Sequence, residues 1–572
     1  MPVQNLVNQN QTLWKPDYVV EPNIHPTSPA FKLKNSIKKV AVIGAGPAGL
    51  PTAKVLKDEG LDVVIYERSP ASGGTWIYNA QPPLAPDYPA IVPSQLVQPS
   101  LPPSNSTLPF EIVDDFNNQD VLRHAPPTPC YQSLRNNVAT PLLKYKDLDW
   151  PTNTPWFTTH DKILTYLQDY SKQFGLDDIT EFNTSLEKLT ELPEQAGWKV
   201  LTKKVIAITL QDKDGDERKV IKTSWKEEIF DAVVLSTGHY HAPFVPNIPG
   251  LSEWKKRYPS TIIHSKQYRV PEGYEGKNVL IIGDGTSALD ISRDIGDRCK
   301  IIYQSVRESN HGFDEKYRAF REEVKTWLPP NVKRVSAIKN IVFSNDPNNQ
   351  SPESATIELQ DGTILTEVDA IVICTGYLFN YHFLQELHDD GNTNACDIPS
   401  GRQGKLDEDK VLVKQDGSQL FNLHKDIFYI PNPTLSFIGV PFHIATFSFF
   451  EFQAYAVARV YSQSAFLPTP QQMRSEWADR LQRKGSGREF HALGADLEQE
   501  YIQDIVTWVN KHGAPLKKPI LEGHSQAWFD VKEKAFDALR LEFKQRLQLD
   551  PPQKPLDHNT SLSIPAVTPT TD

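Results

Sequence analysis

Three kinds of hydrophobic spacing alternate along the chain. Unbroken apolar runs, KKVAVIG from Lys38, IFDAVVLSTGHY from Ile229, KNVLIIG from Lys277 and VDAIVICTGY from Val368, have the length and β-branched content of buried strands. Between Phe182 and Phe230, WKVLTKK and VIAITLQDKDGDERKVI show strand-like alternation around an Asp-Gly turn, which predicts antiparallel strands. After Thr159 a helical period places Ile163, Leu164, Leu167, Tyr170 and Phe174 on one face, with Thr158 and Asp161 as a capping-box-like start. Helical patterns return from Pro468 to about Leu549. Residues 1–36 are a polar, proline-punctuated extension, and 550–572 are composed like a disordered tail. Gln81 to Pro129 holds roughly a dozen prolines, which should deny it helix and sheet ladders, so it reads as an inserted surface loop.

Two of the apolar runs lead into glycine turns and then helices, which predicts an α/β fold with two dinucleotide-binding, Rossmann-like domains. In KKVAVIGAGPAGLPTAKVL the glycines are Gly44, Gly46 and Gly49. The first permits the turn, the second lets a pyrophosphate approach the backbone, and the third lets helix and strand pack closely. The second unit, NVLIIGDGTSALDISRDI, has Gly283 and Gly285, with Ala288 as the third small residue. An acid, Glu67, closes the strand after the first turn, and a carboxylate accepts from both hydroxyls of an unmodified ribose. At nearly the same offset after the second turn stands Arg307, whose fork suits a 2′-phosphate that a carboxylate would repel. The first site is therefore expected to hold FAD and the second NADPH; a surface role for Arg307 is the alternative.

Composition narrows the remaining classes. A formal charge of -11 argues against a nucleic-acid footprint. Cys130, Cys299, Cys374 and Cys396 lie far apart, without CxxC or ligand-type spacing, so neither a metal site nor a dithiol centre is expected. The most apolar window, from Leu435 to Val460, is broken by Pro441, His443, Glu451 and Arg459 and reads as core, not as a membrane span. With no signal-peptide pattern, a cytoplasmic address is the default.

The two turns, GGTWIY at Gly73–Tyr78 and YPSTIIHSKQY at Tyr258–Tyr268 together resemble the flavin-containing monooxygenases, the class B flavoprotein monooxygenases, over about residues 36–468. That family carries FxGxxxHxxxY between its turns; here Tyr258 replaces the Phe, Ser260 the Gly, and His264 and Tyr268 are in place. Baeyer–Villiger relatives usually have Trp where this chain has Tyr268, which makes that subgroup the alternative. YQSLRNNV aligns Asn137 with the family's active-site asparagine and puts Asn136 where Thr is common. The resemblance implies a split FAD domain, 37–240 and 337–549 with the insertion 81–129, interrupted by an NADPH domain at 241–336. Gly74, Trp76 and Ser287 join the glycines, Glu67 and Arg307 as cofactor contacts, although an ordinary core tryptophan would explain Trp76 nearly as well.

As the resemblance implies, NADPH reduces FAD, O2 adds to give a flavin hydroperoxide, and one oxygen atom passes to the nitrogen or sulfur of a small molecule. Asn137 is the catalytic candidate, and a structural histidine is expected at His264. The partners implied are a small amine or thiol and O2, with a homodimer as the assembly to test. The alternatives are Baeyer–Villiger chemistry, an NADPH oxidase, and a flavoprotein redox sensor with little turnover. A disulfide reductase also has two such turns but needs paired cysteines.

Overall fold

The computed structural model describes residues 31–211, 217–307, 319, 322–344, 351–391 and 407–549. The expectations for residues 1–30, for the tail and for Cys396 fall outside these. Two parallel sheets repeat one design. In the first, strand Lys39–Ile43 lies between Asp62–Tyr66 and Ala232–Leu235, and Thr180–Glu181 follows Asp62–Tyr66. Leu435–Phe437, Phe428–Tyr429 and Leu423–His424 extend it to seven strands. In the second, Asn278–Ile282 lies between Ile301–Ser305 and Ala370–Ile373, Val332–Val335 follows Ile301–Ser305, and Ile262–His264 closes the far edge.

The unbroken apolar runs follow from burial on both faces. Val40 and Val42 pack with helices Gly49–Asp58 and Thr446–Tyr461, whereas Ala41 and Ile43 turn toward Leu186, Trp198 and Phe230. Likewise Leu280 and Ile282 join Trp254 and Ile357, while Val279 and Ile281 join Ile291 and Ile295.

Three expectations are corrected. First, the insertion 81–129 is not free of regular structure: Phe110–Asp115 pairs antiparallel with Glu217–Phe230, and Asn118–His124 is a helix. Its prolines bracket these proline-free stretches instead of interrupting them. The strand completes a four-stranded sheet with Trp198–Gln211 and Thr184–Glu191, as the alternation predicted for the latter region. Second, the helix His160–Gln173 has Thr159, not Thr158, at its N-cap, with no side-chain cap, and the Thr158 N–H goes to Asn136 Oδ1 at 2.6 Å instead of to Asp161. Third, a domain boundary at 336 falls short: Ala370–Ile373 sits inside the second sheet, since its apolar residues complete both of that sheet's packed faces.

Helix Thr446–Tyr461 carries the apolar window into the core, and Glu451 goes with it at 5% exposure. Its Oε2 accepts the Lys146 N–H at 2.8 Å, while Oε1 has no partner. Burial therefore pushes its carboxyl up to about 7. The unfolded chain loses this proton near the ordinary 4.5 while the folded chain keeps it, so stability falls as pH rises from 4.5 to 7. Glu451→Gln, which mimics the protonated acid, is expected to add on the order of 3 kcal/mol at pH 8 and little at pH 4.5. Thermal melts at the two pH values check this; equal shifts at both would refute it.

Candidate active site

Strand Lys39–Ile43 ends at Gly44, whose φ of +107° and N–H bond to Tyr66 O at 2.8 Å make the tight turn. A Cβ on Gly44 would stand 2.6 Å from Ser236 O, and one on Gly49 only 1.8 Å from Gly44 O. These two glycines let the turn and helix close on the sheet. Gly46 instead faces Gly74, where a Cβ would lie 2.8 Å from Gly46 Cα, so two bare backbones form a floor on which a diphosphate fits. Helix Gly49–Asp58 starts there with no capping side chain and no acid in its first turn, which leaves its N–H groups to an anion. Glu67 is 6% exposed and accepts the Ala45 N–H at 2.7 Å and the Ser69 N–H at 2.8 Å. A carboxylate has about four acceptor positions, so two remain for ribose hydroxyls. Trp76, on the short helix Gly74–Trp76, packs on the core and lines the cleft.

The second turn repeats this geometry with one difference. Gly283 has φ +118°, and a Cβ there would meet Cys374 O at 2.4 Å. Around Gly285 a Cβ would meet nothing within 4 Å, so the surface of this turn is open to a ligand. Helix Thr286–Asp294 begins at that opening with no acid in its first turn, with Ser287 half-buried at the cleft and Ala288 fully buried beneath.

Register also refines the comparison of Glu67 with Arg307. Ile43 pairs with Tyr66 as Ile282 pairs with Ser305, so Val306 takes the place of Glu67, and Arg307 matches Arg68, one residue further on. The offset expected from the sequence is thus corrected by one. An uncharged side chain stands where a carboxylate would repel a 2′-phosphate, and Arg307 is exposed at the cleft beside it.

Between the turns, the motif histidine is structural. His264 is fully buried; its Nδ1 accepts the Lys266 N–H at 3.1 Å, so Nε2 carries the proton and donates to Gly376 O at 3.2 Å. Burial, helped by the Lys266 charge, pulls its imidazole down to about 3, so it stays neutral as a cap for Ser265–Gln267. Tyr268 is 1% exposed and its hydroxyl donates to Asp294 on helix Thr286–Asp294, pinning the linker to the second nucleotide unit. Ser260 needs no glycine, because its φ is not positive and Thr261 N–H closes the turn on Tyr258 O at 3.0 Å.

Asn136 and Asn137 divide two tasks. Asn136 is buried, and its amide donates to Val138 O at 2.6 Å and Trp156 O at 2.8 Å while accepting from Thr158. That tie holds the loop in place, and the adjacent Asn137 is exposed at the cleft. One cleft of about 3010 Å³ is lined by both turns, by Glu67 and Arg307, and by Asn137. The helical pattern expected up to about Leu549 supplies one of its walls. Helix Gln526–Leu549 sets Ala535 and Leu539 against Val138, Ala139 and Ala445, and Phe536 and Phe543 against Leu289 and Trp327. It thereby spans from the asparagine loop to the second nucleotide unit.

Cys130, Cys299 and Cys374 are free and buried, and burial pushes the thiols of Cys130 and Cys299 up to about 12. Among the described residues, therefore, no dithiol is available for disulfide reduction. Also among them, no helix is long and apolar enough to cross a membrane.

Comparison with known proteins agrees with this geometry. Residues 124–315 match the family model for flavin-binding monooxygenase-like proteins, and 42–100 match an NAD(P)-binding Rossmann-like domain. The chain is 36% identical to the flavin-containing monooxygenase ustF2 of Aspergillus flavus, across 89% of this chain and 98% of that one. It is 32% identical to the flavin-containing monooxygenase iboF of Amanita muscaria, across 84% and 89%. Among solved structures, S-allyl-L-cysteine S-oxygenase from Allium sativum aligns with a TM-score of 0.58 at 25% identity, covering 89% of this chain and 98% of that one. With two glycine turns fitted to FAD and NADPH opening on one cleft, and with relatives matched over nearly their full length, the chain belongs to the flavin-containing monooxygenase family.

Proposed function

We propose that the protein is an NADPH-dependent monooxygenase that transfers one oxygen atom from O2 to the nitrogen or sulfur of a small molecule. The observation that carries this reading is Asn137, exposed at a cleft that both nucleotide turns share. Bound FAD and NADPH supply the reduction and the activation of oxygen. The chain's own residues bind and orient. Glu67 holds the ribose of FAD, Arg307 selects NADPH, and the Asn137 amide offers donors and an acceptor in one plane to the reacting groups. No side chain is needed to take a proton from a soft nucleophile that already carries a lone pair. Phe447, Phe450 and helix Gln526–Leu549 give the cleft apolar walls, the kind of lining that disfavours water beside a reactive group. The S-oxygenation of S-allyl-L-cysteine by the Allium sativum enzyme supports sulfur as one acceptor.

The test is turnover of a panel of amines, thiols and thioethers under 18O2. A single labelled oxygen on nitrogen or sulfur, with one NADPH consumed per product, supports the proposal. Labelled esters or lactones from ketones would favour the Baeyer–Villiger alternative, and NADPH consumption with hydrogen peroxide alone would favour an oxidase. Asn137→Ala is expected to lower product formation on the order of a hundredfold, as removal of one preorganised polar group does. NADPH oxidation in air should persist, so the ratio of product to NADPH is the measurement to make. An unchanged ratio would place Asn137 outside the reaction.

A further inference from the structure

The geometry points to Arg334 as a second arm, beside Arg307, of the site that takes the 2′-phosphate of NADPH. The inference rests on reading the second glycine turn as the NADPH site, and the repeat between the two sheets locates the ribose. In the first unit Glu67, at the end of strand Asp62–Tyr66, reaches Ala45, the residue between the first two glycines of the turn, at 2.7 Å. The ribose locus is therefore where the end of the second strand meets that turn residue. In the second unit the residue between the glycines is Asp284, and the guanidinium of Arg334 lies 3.6 Å from its Oδ2.

Arg334 comes from strand Val332–Val335, where it pairs in register with Gln304. To reach Asp284 its side chain must pass over the end of strand Ile301–Ser305, the strand that delivers Val306 and Arg307. Arg307, Arg334 and Ser305 all line the same cleft, and the Arg334 side chain keeps 31% of its surface exposed. In the first sheet Thr180 takes the place of Arg334 by the same register, since Ile65 pairs with Thr180 as Gln304 pairs with Arg334. The arginine is thus present in the unit whose strand end lacks a carboxylate and absent from the unit that has one.

An acid inside a phosphate-binding turn needs explanation, because its charge opposes the ligand. Asp284 repels a diphosphate unless positive charge stands against it, and Arg334 supplies such charge. A guanidinium has five N–H donors, and the contact with Asp284 uses one edge, so the rest of the fork is left for a phosphate. Two roles for Arg334 then compete: neutralising Asp284, or binding the 2′-phosphate as well.

The experiment separates them by calorimetric titration of the FAD-loaded protein with 2′,5′-ADP and with 5′-AMP. Arg334→Ala is expected to weaken 2′,5′-ADP on the order of ten- to a hundredfold more than it weakens 5′-AMP, because the unmasked Asp284 charge opposes both nucleotides alike while the lost charged hydrogen bond concerns the 2′-phosphate. Adding Asp284→Asn to Arg334→Ala should not restore selectivity for the 2′-phosphate. Equal weakening of both nucleotides, restored by the second substitution, would reduce Arg334 to a neutraliser and overturn the inference. So would unchanged affinity for 2′,5′-ADP in Arg334→Ala while Arg307→Ala still loses it. If the parent protein itself fails to prefer 2′,5′-ADP, the reading of the second turn fails along with the inference.

Discussion

Gly49→Ala is expected to leave the protein without bound FAD, whereas Gly285→Ala should fold, hold FAD and lose NADPH. The two substitutions add the same methyl group to matching nucleotide turns, so their contrast isolates what surrounds each. At Gly49 the new Cβ would lie 1.8 Å from Gly44 O and 2.9 Å from Gly44 C, both backbone atoms of the turn that receives the diphosphate. A backbone carbonyl cannot rotate away as a side chain does, so helix Gly49–Asp58 must move off the sheet. Overpacking of this kind costs about 3 kcal/mol or more, and the displaced helix takes its free N–H groups with it. Flavin absorbance per mole of purified protein should fall to a small fraction of the parent value, and the melting temperature should drop. At Gly285 nothing lies within 4 Å, so the methyl group disturbs no protein atom and occupies the open space proposed for the diphosphate of NADPH. Binding of NADP⁺ should weaken on the order of tenfold or more, at unchanged flavin content. If Gly49→Ala kept its FAD, the third glycine would have no packing role here. If Gly285→Ala kept its affinity for NADP⁺, the open surface would not be the path of the diphosphate.

What the sequence made legible was local. A strand, a glycine turn and a helix lie within twenty residues, so Gly44 and Gly283 announce their turns without help from the rest of the chain. The alternation in Trp198–Gln211 and Glu217–Phe230 was equally plain, because one hairpin pairs the two. The errors arose where a partner was distant. Phe110–Asp115 is a strand only because Glu217–Phe230, about a hundred residues later, offers it an edge, and the prolines around it misled. Ala370–Ile373 belongs to the second sheet because Asn278–Ile282 and Ile262–His264 flank it. Counting residues from a glycine placed Arg307 within one position of its true match but could not reveal Arg334, whose role depends on register across two strand pairs. Asn136 shows the same limit from the other side: a departure from the common Thr turned out to be a three-bond tie visible only once Trp156 and Thr158 are beside it.

Glu67→Gln, a change of one atom, is expected to weaken FAD binding by about a hundred- to a thousandfold. Both oxygens of this carboxylate already accept a backbone N–H, from Ala45 at 2.7 Å and from Ser69 at 2.8 Å. An amide has one acceptor oxygen, so in glutamine an NH2 group must face one of those N–H groups, donor against donor. Leaving a buried donor unpaired costs about 1–3 kcal/mol, and replacing charge-assisted bonds to the ribose by weaker ones removes roughly 1–2 kcal/mol more. Together these correspond to two or three orders of magnitude in affinity. Glu67→Ala should do no worse, because it removes the mismatched donor along with the acceptors and lets water reach the freed N–H groups. Titration of apo-protein with FAD, followed by quenching of flavin fluorescence, measures both variants. Should the glutamine variant bind FAD as the parent does, the carboxylate would serve only to brace Ala45 and Ser69, and the ribose would have to be held elsewhere. A loss confined to the glutamine variant, with alanine near normal, would mean that the donor clash at the turn dominates and that Glu67 contributes little to the ribose.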